Sequence, residues 1–472
     1  MTARSFDIED QRRFSQLSGD ANPLHLDVVG ARRMIFGRVV VHGVHLLLWA
    51  LDQRLPQDQG PLELASLRAD FSRPLPICEL AVIGPGANDG PLAGRIEVTW
   101  EGRVCAVMDY RLRAVGASLL ELPKTAGQED ACRELGAQEA KEARGELELY
   151  LDNDLASVLF PRLTALLPPS QLAMLLATTR LVGMRCPGLH SIFSALELEF
   201  GRDKTGPARL AFKADGFQPR FSQLWLAVEG PGFRGRLKTF LRPAPRQQTS
   251  YSRLAEMVTA GEFAGVRALV IGGSRGLGEV AGKLLAAGGA SLRLTYRVGQ
   301  EEARQVVDEI RAGGGDAGCL AYDILDPPDR LGASLGDAWR PNLMFYSATP
   351  PIFVARRMHF SPKLFDQFCD YYVKCFRAAL QRVQEAAAGP LKVLYPSTEA
   401  IDQLPPDMGE YAAAKAAGET MCAFLEKVDP RLKIMCPRLP RLPTDQTASL
   451  LPVASHEPDL LLLEWLRRLH RA

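Results

Sequence analysis

The spacing of apolar residues changes character several times along this chain, and each change marks an element or a boundary. HLLLWALDQRL, opened by His42-Gly43, is apolar with helical amphipathy and predicts a central helix. The stretches after it, LASLRADFSRPLPI, ELAVIGPG, GRIEVTWEG and VCAVMDYRLRAV, alternate with period two between glycines and prolines, which predicts antiparallel strands. A helix followed by a wrapped sheet accounts for residues 1–115. Residues 116–145 are polar and rich in Ala and Glu, and read as a linker. From 146 to 245 the first pattern returns in weaker form. LYLDNDLASVLFPRLTALLPPSQLAMLLATTRLV is helical and apolar, and RLAFKAD, SQLWLAVEGPGF and GRLKTFLRP alternate. CPGLHSIFSALELEF parallels VHGVHLLLWALDQRL, with Pro187-Gly188 where His42-Gly43 stood; it predicts a second central helix with His190 one turn in, as a structural residue. RPAPRQQTSYSRLAEM, from Arg242, is rich in turn and polar residues and marks the next boundary. ALVIGGSRGLGEVAGKLLAAGGASLRLTYR, from Ala268, then reads as strand, glycine loop, helix and strand, opening an α/β unit over 262–472.

Chemistry concentrates in two places. In SGDANPLHLDVVGARRMIFGRVVVHGVH a carboxylate, Asp20, precedes an imidazole, His25, and Asn22-Pro23 forces a turn between them. A helix opening at Gly43 points unpaired backbone N–H groups outward, ready for a developing negative charge. An acid/base pair beside an oxyanion site suits proton transfer next to a thioester carbonyl. From Phe14 to Gly43 the chain resembles the MaoC-like hotdog hydratases, the (R)-specific enoyl-thioester hydratases/dehydratases, through F-x-x-L-S-G-D-x-N-P-L-H-x-D and V-V-H-G. The resemblance implies that Asp20 and His25 hold and activate the catalytic water. It also implies that the Gly43 N–H polarises the thioester carbonyl; with residues 1–115 as that hotdog, the weaker repeat at 146–245 reads as a second one, giving a double hotdog whose first half carries the chemistry.

The glycine loop, Gly272, Gly276 and Gly278, lets the backbone approach a pyrophosphate at a helix N-terminus, with Ser274, Arg275 and Leu277 between and beside the glycines. Arg275, together with Arg297 at the end of the second strand, favours the 2′-phosphate of NADP over the ribose hydroxyls of NAD. Asp323 and Ile324, after a third strand, are placed to meet the adenine. Tyr411 and Lys415 lie on one helix face, where an ammonium lowers the phenol pKa so that tyrosine can pass a proton to a carbonyl oxygen. LKVLYPSTEA ends a strand in two hydroxyls, Ser397 and Thr398. At these residues the chain resembles the short-chain dehydrogenase/reductases, especially 3-oxoacyl-thioester reductases, over about 262–450. The resemblance makes Tyr411 and Lys415 the catalytic pair of a Rossmann-type domain, with Ser397 preferred over Thr398 as the third group and Thr444 or Thr447 at the nicotinamide amide. Two departures stand out: FYSAT replaces the family's N-N-A-G, and the helix asparagine is replaced in DYYVKCF, with Tyr371 taken as its successor.

Composition narrows the partners. Hydrophobic residues make up 47% and charged ones 24%, which fits packed cores rather than disorder. The 56 basic and 55 acidic side chains nearly cancel, so no general field draws nucleic acid or an anionic membrane. Nine scattered cysteines without C-x-x-C indicate neither a metal site nor a redox dithiol, and read as reduced thiols in a cytoplasmic protein. MTARSFDIEDQRR has no apolar core, so no signal peptide is expected, and no apolar run is long enough for a membrane span.

The expectation is a multidomain enzyme, an α+β double hotdog followed by an α/β reductase. It would reduce a 3-oxoacyl thioester with NADPH and dehydrate the product to an enoyl thioester, the acyl group arriving on CoA or an acyl carrier protein. A homodimer is left open. Two other readings stand beside it: a β-oxidation-like hydratase/dehydrogenase using NAD, and an acyl-binding scaffold with inactive sites. Peroxisomal multifunctional enzymes are similar in content, with the order of the parts reversed.

Overall fold

The Gly43–Arg54 helix is apolar almost all round, and every residue from Val44 to Asp52 is buried. The carboxylate among them is satisfied: Asp52 Oδ1 accepts the backbone N–H groups of Arg162 and Leu163, each at 2.9 Å, and so serves the first turn of the helix Pro161–Leu166. In this computed structural model all residues are described except 1, 56–59, 85, 87–89, 91, 116–119, 126–130, 203–204, 337, 354–358 and 448–455. The chain divides at Ala244/Pro245 into two units.

The strands of the first unit are β1 (Thr2–Ser5), β2 (Leu62–Phe71), β3 (Leu80–Ile83), β4 (Ala93–Trp100), β5 (Arg103–Ala114), β6 (Arg144–Glu148), β7 (Ser191–Phe200), β8 (Arg209–Gln218), β9 (Gln223–Gly230) and β10 (Phe233–Leu241). They form one ten-stranded sheet in the order β1-β3-β4-β5-β2-β7-β10-β9-β8-β6. Outward from the β2/β7 junction the two directions read β2-β5-β4-β3-β1 and β7-β10-β9-β8-β6, so the halves have matching connectivity. β2 and β7 run antiparallel, with Leu67 opposite Leu198 and Ala69 opposite Leu196. Each half thereby covers the inner edge that the other would expose.

The second half departs from the expected pattern at its centre. Ser191–Phe200 is strand β7, not a helix. Its last residues alternate strictly, with Leu196, Leu198 and Phe200 buried and Glu197 and Glu199 exposed, so the period is two. The second central helix lies earlier, at Pro169–Arg180, buried along nearly its whole length and continued by a π-helical turn at Leu181–Arg185. Proline at its start suits a first helical turn, where no N–H is needed. His190 therefore precedes a strand; its Nε2 lies 2.7 Å from Glu134 Oε1. Within the linker stretch, Ala137–Glu142 is helical and β6 begins at Arg144.

The second unit is built on short apolar runs buried on both faces, as a parallel sheet covered by helices requires. β11 (Arg267–Ile271), β12 (Ser291–Tyr296), β13 (Asp316–Ala321), β14 (Leu343–Tyr346) and β15 (Leu391–Leu394) are followed by the short strand β16 (Ser397–Thr398), then β17 (Leu432–Met435) and β18 (Arg438–Leu439). The main sheet is parallel in the order β13-β12-β11-β14-β15-β17, and β16 pairs with β18 apart from it. Strand order reverses between β11 and β14, and a doubly wound sheet binds ligands at the carboxyl ends of the strands at such a point. Among the described residues no helix is long and apolar enough to cross a membrane.

Candidate active sites

The turn in the first unit is fixed by its own sequence. The helix Ile8–Ser18 ends at Gly19, whose φ of 72° is the left-handed conformation that glycine adopts freely. Asn22 caps the short helix Pro23–Leu26, its Oδ1 accepting from Leu24 N at 3.0 Å. Its Nδ2 donates to Gly183 O at 2.9 Å and Gly188 O at 3.1 Å, pinning the turn to the second half.

Asp20 and His25 come together. They and His42 each offer a ligand-type atom within 4.8 Å of the others. Asp20 is 2% exposed; its Oδ2 accepts from Thr179 Oγ1 at 2.6 Å and its Oδ1 from Asn22 N at 3.2 Å. His25 Nδ1 lies 2.8 Å from Val40 O. A carbonyl can only accept, so Nδ1 carries the proton and Nε2 keeps a lone pair for a substrate. Burial pushes Asp20 up to about 6, against the lowering effect of Thr179 and Asn22, and pulls His25 down to about 4, against the raising effect of Val40. At neutral pH the pair is a carboxylate beside a neutral imidazole.

His42 stacks on His25, ring centroids 3.8 Å apart, and Gln11 Oε1 receives both its backbone N–H, at 3.1 Å, and its Nδ1, at 2.9 Å. A metal ion could be reached by Asp20, His25 and His42. Both Asp20 oxygens and both His42 ring nitrogens are already engaged, however, which leaves His25 Nε2 as the uncommitted atom of the group. Gly43 follows directly as the first residue of its helix, with an N–H that has no intrahelical acceptor. A Cβ at Gly43 would lie 3.2 Å from the Phe71 ring, so a side chain would crowd that N–H. Sequence reasoning missed Gln11, Thr179 and Gly183. A Cβ at Gly183 would stand 2.2 Å from Asp20 Oδ1, so the second half both bonds the carboxylate and makes room for it.

In the second unit the glycine loop follows β11. Gly272 has φ of 83°, and a Cβ there would meet Ala348 N at 3.1 Å; one at Gly278 would meet Gly272 O at 2.3 Å and Ser347 Oγ at 2.6 Å. Gly276 opens the helix Gly276–Ala287, which has no side-chain cap on its N–H groups, and Thr444 Cγ2 lies 3.8 Å from where a Gly276 Cβ would be. Ser274 and Leu277 lie on this loop and the helix's first turn. A bare helix N-terminus behind tightly packed glycines fits a dinucleotide pyrophosphate. The two expected phosphate cations each face an acid: Arg275 Nη1 lies 3.8 Å from Asp445 Oδ2, and Arg297 Nε 3.8 Å from Asp323 Oδ2. Ile324, next to Asp323, is buried. Thr447 Oγ1 is taken up by its own loop, accepting from Thr444 N at 2.8 Å and donating to Leu442 O at 2.6 Å; Thr444 is the threonine that faces Gly276.

Tyr411 and Lys415 lie on the Gly409–Val428 helix and are both buried. The hydroxyl on Tyr411 is that of Thr398, whose bond draws the phenol down while burial pushes it up to about 12. Ser397, the expected partner, does not meet it: its Oγ is buried without a hydrogen-bond partner among the described residues. Neighbouring residues of a strand face opposite sides, so only one of the two can meet the tyrosine. Lys415 Nζ donates to Pro396 O at 2.7 Å and sits over the rings of Tyr372, at 4.0 Å, and Tyr395, at 4.7 Å. Burial draws Lys415 down to about 7, while an aromatic face favours the cation.

The position of the replaced asparagine also shifts. Tyr372, not Tyr371, lies against Lys415 and the Tyr411 ring. Asp370–Cys375 is a π-helical turn; the carbonyl of Tyr371 accepts from Tyr346 Oη at 2.6 Å, and that of Tyr372 from Tyr395 Oη at 3.0 Å.

Residues 2–71 match the family model of the MaoC like domain. Over 199 residues, 39% of this chain and 78% of the relative, the chain is 26% identical to the uncharacterized oxidoreductase YgfF of Escherichia coli. Similar solved structures include a dehydrogenase/reductase from Sinorhizobium meliloti (20% identity, TM-score 0.39, 46% of this chain and 90% of that one). A short-chain dehydrogenase/reductase from Serratia marcescens (16% identity, TM-score 0.39, 44% and 91%) is another. A third is a short chain dehydrogenase from Burkholderia cenocepacia in complex with NADP (22% identity, TM-score 0.38, 43% and 90%).

Proposed function

We propose that this chain, a MaoC-like domain joined to an oxidoreductase-related unit, reduces a 3-oxoacyl thioester with NADPH and dehydrates the 3-hydroxyacyl product to a trans-2-enoyl thioester. The observation that carries the reading is the Asp20–His25 pair: a buried carboxylate beside an imidazole whose bond to Val40 O leaves Nε2 unprotonated. In dehydration His25 Nε2 takes the C2 proton while the Gly43 N–H holds the enolate-like oxygen. The C3–O bond then breaks, the proton passes to the departing hydroxyl that Asp20 orients, and water leaves. We read the two matching half-sheets as a double hotdog in which the second half supports Asp20 through Thr179.

For the reduction, bound NADPH supplies a hydride to C3. Gly272, Gly276 and Gly278 would hold its pyrophosphate, Arg275 and Arg297 its 2′-phosphate, and Thr444 its nicotinamide end. Thr398 would orient the substrate carbonyl and Tyr411 protonate its oxygen, with Lys415 lowering the phenol pKa. The acyl group would arrive on CoA or an acyl carrier protein. Incubation with a 3-oxoacyl thioester and NADPH, read by product mass, tests both steps. Successive hydroxyacyl and enoyl products are expected. No hydride consumption rejects the reductase half, and a hydroxyacyl product that persists rejects the dehydratase half. A higher rate with NAD than with NADP, which the pairing of Arg297 with Asp323 would favour, supports the oxidative direction instead.

A further inference from the structure

The reaction outlined above makes no use of Arg242, a buried cation of the first unit. Arg242 follows β10 directly and is 3% exposed. Its backbone N–H donates to His190 O at 2.8 Å and its Nη2 to Leu189 O at 2.5 Å. Leu189 O also lies 3.4 Å from Asn22 Nδ2. The guanidinium thus shares a carbonyl oxygen with the turn that carries Asp20 and His25. Its charge reaches His25, which it helps keep neutral, and it reaches the Cys132 thiol, itself 3.3 Å from Gly183 O.

Arg242 Nε and Nη1 have no partner, and the side chain enters no ion pair among the described residues. Burial is severe enough to draw the guanidinium down to about 10. A buried charge without a counter-charge is costly, and folded proteins retain one where something of opposite sign meets it. The developing charge of the reaction does not supply that need. It falls on the thioester oxygen, which the Gly43 N–H serves, and it lasts only for the transition state. A permanent anion on the substrate would balance the cation in the bound ground state.

Resting on the hydratase reading, we infer that Arg242 receives a carboxylate on the acyl chain near the reacting carbons. The substrate class of the first site is then a monothioester of a short unsaturated dicarboxylic acid. Water adds across its double bond, and the carboxylate stays unchanged on the guanidinium.

Crotonyl-CoA and fumaryl-CoA test this cleanly, because the second replaces the terminal methyl of the first with a carboxylate. On the full chain, kcat/KM for fumaryl-CoA is expected to exceed that for crotonyl-CoA at least tenfold. In Arg242→Gln that ratio should fall at least thirtyfold, and in Arg242→Lys part of it should return. A wild-type preference for crotonyl-CoA, or equal losses on both substrates in Arg242→Gln, would overturn the inference. Should neither compound be hydrated, the hydratase reading fails and binding decides. Calorimetry with succinyl-CoA and butyryl-CoA still supports the anion subsite if the succinyl form binds at least tenfold tighter, and removes it if the two bind alike. The wild-type comparisons hold even if a variant fails to fold.

Discussion

The two candidate sites face the same electrostatic problem and meet it differently. At Asp20/His25 and at Tyr411/Lys415 alike, burial pushes each group toward its neutral form: the carboxyl and the phenol up, the imidazole and the ammonium down. In the first site the charged form of Asp20 is recovered by hydrogen bonds, from Thr179 Oγ1 and Asn22 N. In the second, Lys415 has one carbonyl and two tyrosine faces. Hydrogen bonds to a carboxylate are directional and fail one at a time, whereas aromatic faces act through the ring and tolerate loss of the hydroxyl. The first site should therefore be sensitive to single polar atoms, and the second to ring shape.

The bluntest way to separate the sites is to remove one chemistry at a time. Asp20→Asn and His25→Ala are each expected to lower enoyl-thioester hydration by about 10²–10⁴-fold, with NADPH-dependent reduction unchanged. Parallel assays on each variant check this. Equal loss of both activities would mean a folding defect, and no loss of hydration would remove the assignment. Tyr411→Phe should lower reduction by a similar factor, roughly 10²–10⁴-fold, and leave hydration intact. Thr398→Val should fall on the same side with a smaller loss, while Ser397→Ala, on the opposite face of the short strand, should stay close to wild type.

Much of this was legible in the sequence where the chemistry is local. Asp20, His25 and Gly43 lie within one stretch, and a turn and a helix start were enough to place them near each other. The glycine loop was readable for the same reason, since strand, loop and helix are consecutive. Contacts made across the fold were not readable. Thr179 reaches Asp20 over 159 positions, and nothing in its own surroundings marks it. The choice between Ser397 and Thr398 turned on which face of a two-residue strand looks at the helix, which counting could suggest and chemistry misjudged. Tyr372 displaced Tyr371 because a π-helical turn rotates the register. SIFSALELEF invites a helix by analogy with the first half, yet the alternation at its end argues for the strand it forms.

The aromatic faces are tested by keeping or removing the ring. Tyr372→Phe preserves it and should leave the pH profile of reduction in place, while Tyr372→Leu should not. Lys415 is already drawn down to about 7, and Glu419, Cys422 and Cys436 are the titratable groups that raise it. Removing a ring at 4.0 Å takes away a further stabiliser of the cation. That is worth up to about 2 kcal/mol when desolvated, or roughly one pH step. A lower Lys415 pKa moves the alkaline loss of activity to lower pH. An unmoved alkaline limb in Tyr372→Leu would show that the ring does not hold the charge.

The smallest expected effect is the most specific to the first site. Thr179→Val keeps the shape of the side chain and removes one hydrogen bond, from Oγ1 to Asp20 Oδ2 at 2.6 Å. That bond lowers the Asp20 pKa against the burial that raises it to about 6. Without it the carboxyl moves further up, so a larger share is protonated near neutral pH. The carboxylate is the working form, so hydration in wild type should fall as pH drops through about 6. In Thr179→Val that acid limb should move to higher pH by roughly one step, the size expected for one hydrogen bond to a charged group. At alkaline pH, where both proteins carry the carboxylate, their rates should converge. That convergence separates a charge effect from damage to the fold, because a distorted site would lose rate at every pH. Parallel profiles differing by a constant factor would assign Thr179 to positioning Asp20, and an unshifted limb would mean that another group sets the ionisation.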